Sequence, residues 1–230
     1  MDGTRRVRVK ICCIASREEA QLAVESGAAA LGLVSSMPSG PGVIPEPLIA
    51  AIAAAVPPGV ASFLLTSLQA VTSIVDQQRR LRVSTLQLCD RLTTGTHADL
   101  RAALPGIRIV QVVHVQGEES VTEAVAVAPA VDAILLDSGN PRLAVKELGG
   151  TGRRHDWQTS RRIRAAVNVP VYLAGGLTPD NVAAAIATVE PFGVDVCSGV
   201  RTGGRLDPDK LAAFFGAVRA AGQQPGNRRD

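Results

Sequence analysis

Short apolar runs alternate with segments of helical period along the whole chain, and this rhythm limits the fold more than any single residue does. Val7–Cys12, Ala30–Val34, Val60–Leu65, Val83–Leu88, Ile107–His114, Val131–Asp137, Val169–Ala174 and Val194–Cys197 read as strands. Arg17–Ser26, Glu46–Val56, Leu68–Arg80, His97–Ala103, Glu118–Ala128, Asp156–Val167, Pro179–Val189 and Pro208–Ala220 read as the helices between and after them. Local punctuation agrees: Ser16 is placed to cap the first helix with Glu19 at the capping-box position, and Gly27 stops it. Strands that each lead into a helix pair in parallel through right-handed crossovers. The natural closure is a single-domain α/β fold, a (β/α)8 TIM barrel, over residues 1–222. The polar stretch 223–230 reads as a disordered tail.

Composition narrows the partners. The chain has 230 residues, 46% of them hydrophobic and 20% charged, enough for a full core without staples. A formal charge of +3 is too small to argue for nucleic acid, and no zinc-finger or RNA-binding motif accompanies it. No run is long and apolar enough for a membrane span, and the first residues do not read as a signal peptide. Cys12, Cys13, Cys89 and Cys197 form no C-x-x-C pair; reduced thiols in a cytoplasmic protein are the expectation, and no metal site is expected from their spacing.

A barrel places its reactive groups just after the C-terminal ends of the strands. Alternation along the first strand puts Lys10 and Cys12 on the barrel face and Cys13 on the helix face. A cation beside Cys12 favours its thiolate, the form that acts as a base. Asp137 ends an apolar strand, where desolvation raises a carboxyl pKa and suits a general acid. The glycines of Ala174-Gly175-Gly176 and Cys197-Ser198-Gly199 follow strands seven and eight, the usual phosphate seat of such barrels. Gly150 and Gly152 add donors from a possible lid. Gln87 and Cys89 share the inward face of strand four. Asp195 either contacts substrate or pairs with Lys10, and both readings stay open. His114 is a spare acid or base, whereas His97 and His155 read as surface or loop residues.

Five segments in order carry a family resemblance: Val9-Lys10-Ile11-Cys12, Leu135-Leu136-Asp137-Ser138, Gly149-Gly150-Thr151-Gly152 with Asp156-Trp157, Leu173-Ala174-Gly175-Gly176-Leu177, and Gly193-Val194-Asp195-Val196 with Ser198-Gly199-Val200. Over roughly Val7 to Phe215 the chain resembles the phosphoribosylanthranilate isomerase family of tryptophan biosynthesis. The resemblance implies a cofactor-free barrel acting on a phosphorylated small molecule; monomer and homodimer are both compatible with a barrel. It also implies an Amadori rearrangement, with Asp137 as general acid on the furanose oxygen and Cys12 as general base at C2′. Lys10, Gln87, Gly150, Gly152, Gly175, Gly176, Asp195, Ser198 and Gly199 would bind substrate or its phosphate.

This chain departs from the family in several places. Cys13 stands where the family usually has Gly, and the loop after strand two, Ser39-Gly40-Pro41-Gly42, lacks the family's Arg, which contacts the anthranilate moiety. Cys89-Asp90 replaces His-Gly, and Arg201 replaces Glu. Arg153 or Arg154 could supply the missing charge from the lid, with Cys89 and His114 as further contacts. Two other readings therefore stand beside an anthranilate substrate: another phosphoribosyl amine, or a non-catalytic barrel that binds a phosphorylated ligand or a partner protein.

Overall fold

A strand survives only where both of its neighbours can pair with it, and all eight candidates do. The computed structural model describes residues 7–223. Strands β1 (Arg8–Ile11), β2 (Ala30–Val34), β3 (Ala61–Thr66), β4 (Thr85–Leu88), β5 (Arg108–His114), β6 (Ala133–Asp137), β7 (Val171–Leu173) and β8 (Gly193–Val196) close into one parallel barrel in chain order. Helices α1 (Arg17–Glu25), α2 (Glu46–Ala53), α3 (Val71–Leu81), α4 (His97–Ala103), α5 (Glu118–Val127), α6 (Trp157–Ala166), α7 (Val182–Val189) and α8 (Pro208–Gln223) follow the successive strands. The expected (β/α)8 barrel is the fold. Of the tail 223–230 expected to be disordered, Gln223 closes α8, and residues 224–230 lie outside the described residues.

The core has two layers. Val9 and Ile11 join the aliphatic layer between sheet and helices, while Cys12 belongs to a second cluster inside the barrel. At its base Phe63 meets Tyr172 edge-on at 5.9 Å, and Tyr172 meets Phe192 at 5.4 Å. The Arg8 guanidinium lies 4.4 Å from the Phe192 ring centre. In a chain with 3% aromatics these rings fill the lower barrel, which leaves the opposite mouth for a ligand.

Hydrogen bonds outside the regular elements move some boundaries. α7 begins at Val182 rather than Pro179, because the Thr178 N–H donates to Asn181 Oδ1 (2.9 Å) and Asn181 Nδ2 donates to the Gly176 carbonyl (2.9 Å). α3 begins at Val71 rather than Leu68, since the Gln69 carbonyl accepts from Thr93 (2.9 Å) and holds that stretch in a loop. After β8 a single 3-10 turn, Ser198–Val200, leads into a small hairpin, β9 (Arg201–Thr202) and β10 (Arg205–Leu206), which sequence periodicity did not reveal.

Candidate active site

The barrel mouth holds a cavity open to solvent, lined by residues from the ends of several strands and the loops that follow them. Its floor begins with Lys10, which is fully buried, its Nζ 2.9 Å from Asp195 Oδ2 on the neighbouring strand. Burial opposes the ammonium, but the Asp195 carboxylate and the Cys12 thiol outweigh it, and the Lys10 pKa is raised above the ordinary lysine value. Lys10 therefore lies beneath the cavity wall as the partner of Asp195 and is not among the residues that line the cavity. Asp195 does line the cavity, with Oδ1 buried and unpartnered among the described residues.

Cys12 sits one layer above Lys10, buried, with its N–H donating to the Val196 carbonyl (2.8 Å). Gly32 on β2 makes this stacking possible. A Cβ there would lie 2.9 Å from Cys12 Sγ and 3.0 Å from Lys10 Nζ, so ammonium and thiol are close neighbours. An isolated glycine within a strand signals such an approach, and Gly32 was the residue to notice.

Cys13 corrects the helix-facing expectation. β1 ends at Ile11, and Cys13 takes φ +60°, so strand alternation no longer governs it. Its side chain turns over the mouth and lines the cavity. Contacts with the Cys12 and Cys197 thiols, together with burial, push its own thiol up, which keeps it protonated. Across from it, a Cβ on Gly42 would fall 2.5 Å from Cys13 Cβ. Side chains at positions 13 and 42 thus exclude each other, and two of the departures from the family pattern meet at one point.

Arg201, unassigned from sequence, secures this loop. It donates to the Cys12 and Cys13 carbonyls (3.2 and 2.6 Å) and forms a bidentate pair with Glu19 of α1. Glu19 also accepts from the Ala15 and Leu206 amides (2.9 and 3.0 Å), so the capping residue of α1 ties β1, β10 and the hairpin together.

Asp137, at the end of β6, lines the same cavity as Cys12. Burial raises its pKa, against the Ser138 amide that donates to Oδ1 (2.7 Å) and the nearby His114. Gly149 packs on its other oxygen; a Cβ there would be 2.6 Å from Oδ2. Between the two sit the glycine loops. Gly150, Gly152, Gly175 and Gly176 all take positive φ, and among the described residues their N–H groups have no partner. Those four and Ser198 line the cavity. Gly199 does not; a Cβ there would strike the Leu177 carbonyl at 1.9 Å, so its role is close packing.

Gln87 and Cys89 reach the cavity from β4 and its end, with Gln87 Oε1 buried and unpartnered and the Cys89 thiol pushed up by burial. His114 does not reach it. Its Nε2 lies 3.1 Å from the Cys89 carbonyl, and its ring borders a neighbouring cleft with Asp90 and Lys146. Arg153 and Arg154 also stay outside the wall: Arg153 pairs with Glu147, and the Arg154 guanidinium lies 5.6 Å from the Trp157 ring centre. His155 is a half-buried loop residue. It packs behind Gly175, donor or acceptor to Ser160 Oγ (2.8 Å), with its pKa pushed down to about 4 by burial. Among the described residues no cluster of three metal-binding side chains occurs, and no helix is long and apolar enough to cross a membrane.

Comparison with known proteins agrees with this geometry. The family model described as N-(5'phosphoribosyl)anthranilate (PRA) isomerase matches residues 9–217. The N-(5'-phosphoribosyl)anthranilate isomerase of Haloferax volcanii is 39% identical over 93% of this chain and 94% of its own length. That of Methanocella arvoryzae is 36% identical over 90% and 95%. Among solved structures, phosphoribosyl anthranilate isomerase from Thermotoga maritima superposes with a TM-score of 0.77 at 31% identity, covering 93% of this chain and 99% of that one. A structure of such an isomerase in complex with reduced 1-(o-carboxyphenylamino)-1-deoxyribulose 5-phosphate gives 0.74 at 29%, with the same coverage. A profile match over most of the chain and relatives above 30% identity across nearly its full length carry one conclusion: the chain belongs to the N-(5'-phosphoribosyl)anthranilate isomerase family.

Proposed function

We propose that this isomerase converts N-(5-phosphoribosyl)anthranilate to the corresponding 1-deoxyribulose 5-phosphate, with Asp137 as general acid and Cys12 as general base. The observation that carries the reading is that a buried carboxyl group of raised pKa and a thiol beside an ammonium line one cavity, from β6 and β1. Asp137, protonated, donates to the ring oxygen as the C1′–O bond breaks, and the nitrogen lone pair forms the C=N bond of the iminium. The Cys12 thiolate then takes the C2′ proton, giving the enolamine. C1′ takes up a proton while the C2′ hydroxyl loses one and becomes the ketone, so the reaction is redox-neutral and needs no cofactor. The free N–H groups of Gly150, Gly152, Gly175 and Gly176, with Ser198, seat the phosphate. Gln87 and Asp195 face the sugar with their unpartnered oxygens.

The substrate is a phosphorylated small molecule rather than a nucleic acid, and the setting is cytoplasmic. One of the related structures is of monomers made from a dimeric isomerase, so either assembly suits this barrel. The test is turnover of freshly made phosphoribosylanthranilate, followed by anthranilate fluorescence. Wild-type protein consumes it, and Cys12→Ala and Asp137→Asn each lose activity by about 10²–10⁴-fold. Folded wild-type protein that leaves the substrate intact contradicts the proposal.

A further inference from the structure

We infer that the amine end of this site recognises an aryl ring without reading its carboxylate by charge, so that the enzyme also isomerises phosphoribosyl amines of neutral ortho-substituted anilines. The inference rests on the isomerase reading above and concerns only its specificity.

Among the described residues no lysine, arginine or histidine lines the cavity; its only ionisable side chains are Asp137, Asp195 and the thiols. The nearby cations lie outside the lining: the Arg154 guanidinium, without a carboxylate partner among the described residues, sits 5.6 Å from the Trp157 ring centre, and four others are paired. Lys10 is sealed beneath the floor with Asp195, Arg201 is held by Glu19, Lys146 by Asp90, and Arg153 by Glu147. The wall beside the thiols is built from Val34, Met37, Leu65 and Leu148, a surface for a ring and not for an anion. Nor can the loop after β2 send in a side chain from position 42, because Cys13 occupies that space. The phosphate needs no cation, since it is met by backbone N–H groups. A carboxylate at the other end meets no charged donor in the lining on the thiol side. Charge-assisted hydrogen bonds to a carboxylate normally discriminate by ten- to a hundredfold, and here that discrimination is missing.

The probe is the phosphoribosyl amine of 2-aminobenzamide, made by condensing ribose 5-phosphate with the amine. It keeps the ortho carbonyl and the fluorescence of anthranilate but carries no charge. Wild-type kcat/KM for the two substrates is expected to agree within about tenfold. Met37→Arg, which puts a guanidinium on the half-buried edge of the apolar wall, is expected to favour the anthranilate substrate by a further tenfold or more. Three results overturn the inference. One is a wild-type preference for anthranilate above tenfold. Another is an anthranilate-specific loss of tenfold or more in Arg153→Ala or Arg154→Ala, which would mean that the lid reads the carboxylate. Failure to turn over the benzamide while anthranilate is consumed also overturns it. Failure with both substrates instead removes the isomerase reading itself.

Discussion

Asp137 shows how a residue's position becomes chemistry. Its carboxyl group closes an apolar strand, and burial keeps it protonated beyond the usual aspartate range. The rate is therefore expected to fall as pH rises through that raised pKa, and the limb disappears when Asp137 is no longer the acid. The same shift sets a sign for stability. In the unfolded chain an aspartate ionises near ~3.9, so between that value and the raised folded one the folded state holds the extra proton. Stability falls as pH rises across this window and stays lowered above it. Asp137→Asn is expected to raise Tm at pH 7 while abolishing activity; a lower Tm would contradict the burial argument. Cys12 and Asp137 were legible in the sequence because each stands at a strand end. Cys13 was not, because one positive φ reverses the side that alternation assigns. Lys10 was legible as inward-facing, but its depth depends on Asp195, which is distant in sequence.

At the scale of elements, strands and helices were readable wherever hydrophobic period and caps agreed, as in α1, where Ser16 Oγ accepts from the Glu19 amide (3.2 Å). Boundaries slipped where side chains captured the backbone, as Asn181 does before α7. The β9–β10 hairpin and the clamp beneath it were invisible, since the pairing of Arg201 with Glu19 joins residues at opposite ends of the chain. That clamp has a measurable consequence. Burial alone would raise the Glu19 pKa, but the Arg201 guanidinium and the Ala15 and Leu206 amides outweigh it and lower it. A carboxylate with a depressed folded pKa stabilises above its unfolded value of ~4.3, and the contribution is lost as pH falls below it. Arg201→Ala is expected to cost about 2–3 kcal/mol in denaturant unfolding at pH 7, with a smaller difference in acid. An unchanged midpoint would show that the clamp is dispensable.

For the whole molecule, the alternating pattern was enough to predict a closed barrel, because each βα unit needs a parallel neighbour and the last strand needs the first. What it could not supply was the seam and the lid. β1 and β8 meet through the register of Lys10 with Asp195, and their buried ion pair crosses that seam. Lys10→Met, which leaves a buried carboxylate uncompensated, is expected to cost about 3–5 kcal/mol, and Asp195→Leu in addition to recover part of it. A double variant whose cost equals the sum of the two single costs would show that the pair is not coupled. The loop over residues 149–155 carries no periodicity, and its contacts with Gly175 and Gly176 arise only once the barrel is closed. The proposed function depends on that closure, since it brings Cys12 from the end of the first strand and Asp137 from the sixth, the proposed base and acid, to one cavity. The central claim is that Cys12 removes the C2′ proton there. The direct test uses substrate carrying deuterium at C2′, with wild-type protein and Cys12→Ala compared at matched folding. The account predicts a primary isotope effect and release of deuterium to solvent by the wild type, and neither product nor release by the variant. Turnover by Cys12→Ala near the wild-type rate, with the isotope effect intact, would place the base elsewhere.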